Sequence, residues 1–207
     1  MLNIDKNLWE ETEVKEFGDY ESLELGGHVI IIRKADKYTG QSGNESLRVQ
    51  VDIDKSDKQG GFFQQQFDSN TRSDKIWSPN ATKYYSLKEE NLAMLKGAIT
   101  AIENSNPGYK FDMDETKLAG KKAVGVFGLE EFEKQDGTVG TSVRLTQIRS
   151  LDKLKEVKIP KVKKLDGSYV DYEEYMNHQR TATAEEIFGD SIVETDSGEL
   201  PFEDFEI

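Results

Sequence analysis

The chain has no cysteine, only two histidines among its 207 residues and no long apolar run. Without cysteine there can be no disulfide framework, thiolate metal site or cysteine nucleophile, and His28 and His178 are too few for a histidine-rich metal centre. No stretch approaches the ~20 apolar residues that span a bilayer, and residues 1–14 are acidic where a secretory leader is basic and then apolar. We therefore expect a soluble, cytoplasmic protein with no membrane partner, no metal and no cofactor.

Negative charge is concentrated at the two ends of the chain. The formal net charge is -13, yet residues 27–184 carry 25 basic and 23 acidic side chains. Residues 1–26 hold eight acids against two lysines, and residues 185–207 hold nine acids and no base. Because phosphate binding draws its affinity from Lys and Arg, the nearly neutral middle is the part suited to a nucleic-acid partner.

The hydrophobic pattern predicts a β-rich middle. Residues 46–53 alternate strictly between apolar and polar side chains, which is the period of a half-buried strand. Asp136-Gly137 is a hairpin signal between two further strand-like runs. The five predicted strands are residues 28–36, 46–53, 62–67, 120–133 and 139–149.

One helix is predicted between the third and fourth strands. Ser86 and Glu89 have capping-box spacing. Apolar residues then recur at helical spacing, at Leu92, Leu95, Ile99 and Ile102, until a stop at residues 104–108. The resulting order of three strands, a helix and two strands is that of the OB-fold, so we predict a mainly β, five-stranded OB-fold barrel, although composition alone also allows a sandwich.

Four regions follow from this division of the chain. Residues 1–26 form an acidic N-terminal segment, and residues 27–150 form the OB-fold domain. Residues 151–184 are interpreted as a lysine-rich linker that includes a short helix near Tyr169 to His178. Residues 185–207 form an acidic tail, which we expect to be disordered because its sequence shows no hydrophobic periodicity.

Basic and aromatic residues occur together on the predicted strands and in the segment 68–85, which we interpret as an irregular loop. Single-stranded nucleic acid is held by cations that follow the phosphates and by aromatic faces on which bases stack. The candidate cations are Arg33, Lys37, Arg48, Arg72, Lys75, Lys83, Lys121, Lys122, Arg144 and Arg149. The candidate stacking residues are Tyr38, Trp77, Tyr84 and Tyr85.

The acidic tail also contains large apolar residues near its end. A tail that only solubilises needs charge alone, whereas embedded apolar groups suit docking in an apolar pocket with a basic rim. The candidate docking residues are Leu200, Pro201, Phe202, Phe205 and Ile207. A simple acidic tail with incidental apolar residues is the alternative.

An OB-like barrel followed by an acidic end containing Glu199-Leu-Pro-Phe202 resembles the single-stranded DNA-binding proteins of bacteria and their phages. The resemblance implies sequence-tolerant binding of single-stranded DNA in replication, recombination or repair, and a tail that recruits partner proteins and competes with DNA. One difference is that five residues follow Phe202, where the family usually ends in Phe. Phe205 or Ile207 therefore remains an alternative docking residue, and a homo-oligomer remains open.

Two other classes of function stay open. The first is a protein-interaction adaptor or DNA mimic with no affinity for nucleic acid. The second is a Mg²⁺-dependent nuclease or strand-annealing factor. Acidic clusters, such as the one with Asp112 and Asp114 and the one at residues 130–133, could hold the metal ion of a nuclease because hard cations prefer carboxylates. The chain has no nucleotide-binding or hydrolase motif, and we expect a protein that is not an enzyme.

Overall fold

One long strand organises the sheet. In the computed structural model, which describes residues 22–179, β1 spans Gly26–Thr39 and pairs with two antiparallel neighbours. Its first half pairs with β4 and its second half with β2, and only Ile30 and Ile31 are shared by both ladders. A β-bulge between Ile32 and Lys34 follows this overlap, where the strand bends.

The other elements extend this sheet in both directions. The strands are β2 (Glu45–Ile53), β3 (Thr82–Ser86), β4 (Lys122–Glu133), β5 (Val139–Arg149), β6 (Val162–Lys163) and β7 (Tyr169–Val170). The helices are α1 (Phe62–Ser69), α2 (Leu92–Ser105) and α3, the helical residues 172–179. The sheet has the order β3-β2-β1-β4-β6-β7, β5 also pairs with β4, and all pairings are antiparallel except β4 with β6.

The core lies between the inner face of this sheet and the helices α1 and α2. Alternation buries one face of β1 as far as Ala35 and one face of β2 from Leu47 to Ile53, as the two-residue period predicts. The α2 helix covers it with Ala98, Ile99 and Ile102, and α1 contributes Phe63. The largest fully buried side chains that the sheet contributes to this core are Ile30, Ile32, Val49, Val51, Ile53 and Phe127.

The expectation of a mainly β fold is confirmed, but the sheet is not a closed five-stranded barrel. Within residues 22–179 it has seven strands, and β3 pairs with β2 alone while β5 pairs with β4 alone. A seam therefore separates β3 from β5. The strands predicted at 28–36, 46–53, 120–133 and 139–149 are all present; the first two are longer than predicted, the third begins at Lys122, and the fourth has the predicted bounds.

The predicted third strand was wrong. Residues 62–67 form the first part of α1, which begins after Gly61 at φ 79°. The backbone N–H of Phe63 donates to the Asp52 carboxylate over 3.1 Å, and the Phe63 ring is buried. The Phe63 and Phe67 spacing of four residues is that of a helix, which the aromatic run obscured.

The true third strand lies in the segment that was interpreted as a loop. In β3, Lys83 and Tyr85 lie opposite the buried Val49 and Leu47, so they share the inner face. Because Lys83 is a polar residue on the inner face, the apolar–polar alternation that predicts a strand is interrupted there. The helix α2 is confirmed, but it starts at Leu92 after a short 3₁₀ turn, without the expected capping box.

Residues 151–163 pack against the sheet and do not leave it as a free linker. A 3₁₀ helix spans Leu151–Glu156, and Val157 and Pro160 approach the sheet so closely that there is little room for a side chain at Gly27 or Gly128. Val162 is then fully buried in β6. The lysines of this segment sit between these apolar anchors, with residues such as Lys155, Lys158 and Lys161 exposed to solvent.

Some expectations lie outside the described residues. These are the acidic segment before Ser22, the tail 185–207 with its expected disorder, and the docking residues Leu200, Pro201, Phe202, Phe205 and Ile207. Among residues 22–179, no helix has the length and apolar character needed to cross a membrane.

Two glycines test how tightly the core is packed. An ideal Cβ at Gly125 would lie 2.7 Å from Ile30 Cγ2 and 3.0 Å from Phe127 Cε2, whereas a Cβ at Gly97 on α2 would meet nothing within 4 Å. Gly125→Ala should therefore lower the free energy of unfolding by about 1–3 kcal/mol, and Gly97→Ala should raise it by about 0.5–1 kcal/mol. Urea unfolding followed by circular dichroism measures both changes, and equal effects would contradict this packing.

Candidate nucleic-acid interface

Two tyrosines and an arginine lie side by side on the outer face of β1, β2 and β3. The register places Tyr84 opposite Arg48 in neighbouring strands. The ring centroids of Tyr38 and Tyr84 are 5.2 Å apart, and the Arg48 guanidinium carbon lies 5.0 Å from the centre of the Tyr38 ring. Tyr84 is 48% exposed, so one face of this tyrosine cluster (Tyr38, Arg48 and Tyr84) is open to solvent.

Asp36 holds the guanidinium of this cluster in place. Arg48 donates two hydrogen bonds to Asp36, from Nε to Oδ1 over 2.8 Å and from Nη2 to Oδ2 over 2.6 Å. These bonds lower the pKa of Asp36 to about 2, and they raise that of Arg48. Lys34 Nζ lies 2.8 Å from the same carboxylate, so two cations share one anion and the group keeps a net positive charge.

A second cluster of rings and cations lies around Trp77. The guanidinium of Arg33, at the bulge of β1, lies 5.0 Å from the centre of the Trp77 ring. The ring centroids of Phe67 and Trp77 are 5.7 Å apart, and the Lys75 Nζ lies 4.6 Å from the centre of the Phe67 ring. Trp77 also donates from Nε1 to the Val51 carbonyl over 3.1 Å, which fixes the indole against β2. We call Arg33, Phe67, Lys75 and Trp77 the tryptophan cluster.

The two clusters are connected along β1. Tyr38 follows Arg33 by five positions, which correspond to about 16 Å of strand. Next to the tryptophan cluster is an open hollow of about 520 Å³, and its lining includes Phe67, Arg72 and Lys75. An aromatic and cationic group therefore stands at each end of a short stretch of surface.

Several candidate residues lie elsewhere. Tyr85 is buried in the core, where burial raises the pKa of its hydroxyl, and Lys83 points into the seam between β3 and β5. Other candidates have local partners away from the two clusters: Lys37 with Glu45, Lys121 with the Tyr109 ring, Lys122 with Asp54, Arg144 with Glu130, and Arg149 with Gln147. The structure thus brings together Arg33, Tyr38, Arg48, Arg72, Lys75, Trp77 and Tyr84.

Three contributors were missed from the sequence. Asp36 was passed over because a search for phosphate-binding residues looks for cations, Lys34 was not among the candidate cations, and Phe67 was assigned to the predicted third strand. The sequence pattern places Arg48 on the polar face of β2, but Asp36 has the same alternation phase as the buried Ile30 and Ile32, and only the bulge between Ile32 and Lys34 moves it to the outer face. The pairing of Asp36 with Arg48 also depends on the register between β1 and β2, which the sequence pattern leaves open.

The carboxylates considered for a nuclease are engaged locally. Lys117 forms an ion pair with Asp112 and lies 3.5 Å from Asp114. The Asp114 carboxylate also accepts from the backbone and the hydroxyl of Thr116, in a turn that begins a 3₁₀ helix. In the part of the chain that the structure describes, no three His, Asp or Glu side chains are grouped to hold a metal ion.

His28 has a structural position near the edge of the core. Its Nδ1 lies 3.1 Å from the Asp57 carboxylate and its Nε2 lies 3.0 Å from the Glu24 carbonyl, and the ring is buried against Phe127. Burial raises the pKa of Asp57, but hydrogen bonds from Gln59, His28 and Val29 outweigh it and lower the pKa overall. His28 therefore ties the start of β1 to the loop after β2.

No protein-family model matches the chain, and no curated protein sequence is significantly similar to it.

The Asp36–Arg48 pair predicts a pH-dependent contribution to stability. Because the folded pKa of Asp36 lies below its ordinary value of 3.8, its contribution is present above pH 4 and is lost as the pH falls towards 2. In Asp36→Asn, the loss of unfolding free energy between pH 4 and pH 2 should be smaller than in the parent protein by about 1–2 kcal/mol. Denaturant unfolding at several pH values measures this, with Asp152→Asn on the exposed surface as the control; equal pH profiles for the parent and Asp36→Asn would refute it.

Proposed function

We propose that this chain is a sequence-tolerant single-stranded DNA-binding protein and that DNA lies across the outer face of β1, β2 and β3. The observation that carries the proposal is the tyrosine cluster, in which exposed Tyr84 stands beside Tyr38 and a fixed guanidinium. Base stacking on an aromatic side chain contributes about 1–3 kcal/mol per base and tolerates any sequence. The tryptophan cluster about 16 Å away on β1 offers a second contact point.

The strand order supports an OB-like interpretation of the fold. The path β3-β2-β1-β4-β5, with α2 between β3 and β4, has the connectivity of the OB-fold, which is a partly open barrel. In that fold the face of strands two and three binds oligonucleotides. Here the same face carries Arg48 and Tyr84, so the connectivity and the side chains favour one surface.

The two kinds of side chain have different roles in this proposal. Tyr84 and Tyr38 stack with bases, while Arg33, Lys34 and Lys75 contact phosphates. Cations held near anions or rings keep fixed positions, and the phosphate contacts make the affinity depend on salt. For each phosphate neutralised on a single strand, the affinity falls by about 0.7 log units per log unit of salt.

The acidic tail gives the protein a second role in the proposal. Its apolar residues at Leu200, Phe202, Phe205 and Ile207 suit docking on a basic-rimmed pocket of another protein. The resemblance to single-stranded DNA-binding proteins of bacteria and phages suggests that such partners act in replication, recombination or repair. The tail also carries nine negative charges that oppose the binding of DNA.

Replacing Tyr84 tests the proposed surface. Tyr84→Ala should weaken binding of a labelled thirty-nucleotide single strand by about 5- to 100-fold, because one stacking contact is lost. The matched control is Tyr169→Ala, since Tyr169 is also exposed but lies in β7 at the opposite end of the sheet. Fluorescence anisotropy at two salt concentrations measures both affinities.

Two results would count against this surface. Equal affinities for Tyr84→Ala and the parent protein would place the binding site elsewhere. An absence of binding by the parent protein, even at low salt, would reject nucleic-acid binding and favour the protein-interaction alternative.

Removing the tail tests the charge competition. Deleting residues 185–207 removes nine acids and should tighten binding of the single strand several-fold at low salt, with a smaller effect at high salt because charge is screened. A variant of unchanged length with those nine acids replaced by their amides should behave in the same way. Weaker binding after either change would contradict the competition.

A further inference from the structure

The seam between β3 and β5 opens into a groove beside α2. It has a volume of about 440 Å³, and its apolar wall includes Tyr85, Ala98, Ala101 and Ile148. Two sheet edges bound it, because within residues 22–179 no strand pairs with the outer edge of β3 or of β5. Unpaired edges of this kind accept an extended peptide by strand addition.

The charged side chains that line the groove are all positive. Three basic side chains line it, Lys83, Arg149 and Lys153, and none of the lining residues is acidic. Lys83 enters from the inner face of β3, and burial lowers the pKa of its amine, partly opposed by Glu130. Within residues 22–179 this amine has no hydrogen-bond or ion-pair partner, so a carboxylate that reached it would find an unpaired cation.

The chain itself contains a segment with the complementary chemistry. Residues 191–196 read Ser-Ile-Val-Glu-Thr-Asp, in which three β-branched residues favour an extended strand. Glu194 and Asp196 supply carboxylates on one face of this short run. Ile192 lies on the same face and supplies an apolar group that suits the wall formed by Ala98, Ala101 and Ile148, whereas Val193 lies on the opposite face.

The chain can reach the groove from where its described part ends. Gln179 lines a hollow with Phe132 and Val139, at the hairpin end of β4 and β5. The groove lies at the other end of β5, near Arg149, and β5 has eleven residues or a length of about 36 Å. Residues 180–190 are also eleven in number, and fully extended they span about 36–40 Å.

We propose that residues 191–196 of this chain lie in the groove as an added strand on the free edge of β5, with Glu194 paired to Lys83. This segment lies upstream of the apolar residues 200–207, which stay available to a partner protein. The docking concerns only the chain itself, so it stands or falls independently of DNA binding.

Disulfide trapping tests the contact in the full chain, which has no cysteine of its own. Ile192→Cys is combined with Gly97→Cys, because Ile192 shares the face of Glu194, and Gly97 lines the groove and has open space at its Cβ position. The control pairs Ile192→Cys with Gln135→Cys, an exposed position in the β4–β5 turn that lies nearer to Gln179. Under mild oxidation the groove pair should close about tenfold faster than the control pair, at a rate independent of protein concentration.

Charge variants distinguish the proposed contact from random encounters. Lys83→Met should slow closure of the groove pair several-fold, whereas Lys55→Met, at an exposed position in the loop after β2, should leave it unchanged. Equal rates for the groove and control pairs, or no effect of Lys83→Met, would overturn the proposal. A concentration-dependent rate would also overturn it, because the segment would then come from a second copy.

Hydrogen exchange gives a second measurement that needs no cysteine. Amides in residues 192–195 should exchange at least about tenfold more slowly than in an unfolded peptide. Val193→Pro removes an amide donor from the added strand and should abolish this protection, while the matched Ser197→Pro just beyond the segment should preserve it. Exchange of residues 192–195 at unfolded-peptide rates in the parent protein would refute strand addition.

Discussion

The change of partner along β1 is the constraint on which the rest of the fold depends. The first half of the strand pairs with β4 and the second half pairs with β2, so the strand has to bend where the two ladders overlap. The bulge at Arg33 supplies this bend and turns the side chain outward over Trp77. The backbone feature that lets the sheet curl around its core therefore also positions a candidate phosphate ligand.

Most of the sheet could be predicted from the sequence because its residues obey one period. The second strand is an example, since Leu47, Val49 and Val51 alternate with polar residues and occupy the predicted face. Prediction failed where the spacing of apolar residues fitted both a strand and a helix, or where a polar residue interrupted it. The run from Phe62 satisfied both a strand and a helix, and the inward-facing Lys83 concealed β3. Whether the edge strands β3 and β5 pair depends on contacts between distant parts of the chain, which no local sequence pattern encodes.

The candidate site was predictable in its residue types and less so in its arrangement. Tyr38, Arg48 and Tyr84 come from three strands, and their contact follows from register and from a third strand that the sequence did not indicate. Neutralising partners such as Glu45 for Lys37 were equally hidden. A list of basic residues therefore overstates a binding surface, because tertiary contacts decide which cations remain near an open aromatic face.

The folded domain extends beyond β5 and includes the segment that follows it. Val124 and Val126 are buried outside the main core cluster, and residues 151–162 pack back onto this strand through Pro160 and Val162. Trimming the polypeptide at Ser150 would uncover a valine-rich strip and invite self-association. A minimal fragment intended for crystallisation or NMR should therefore end after α3, so that it keeps the residues that cover this strand.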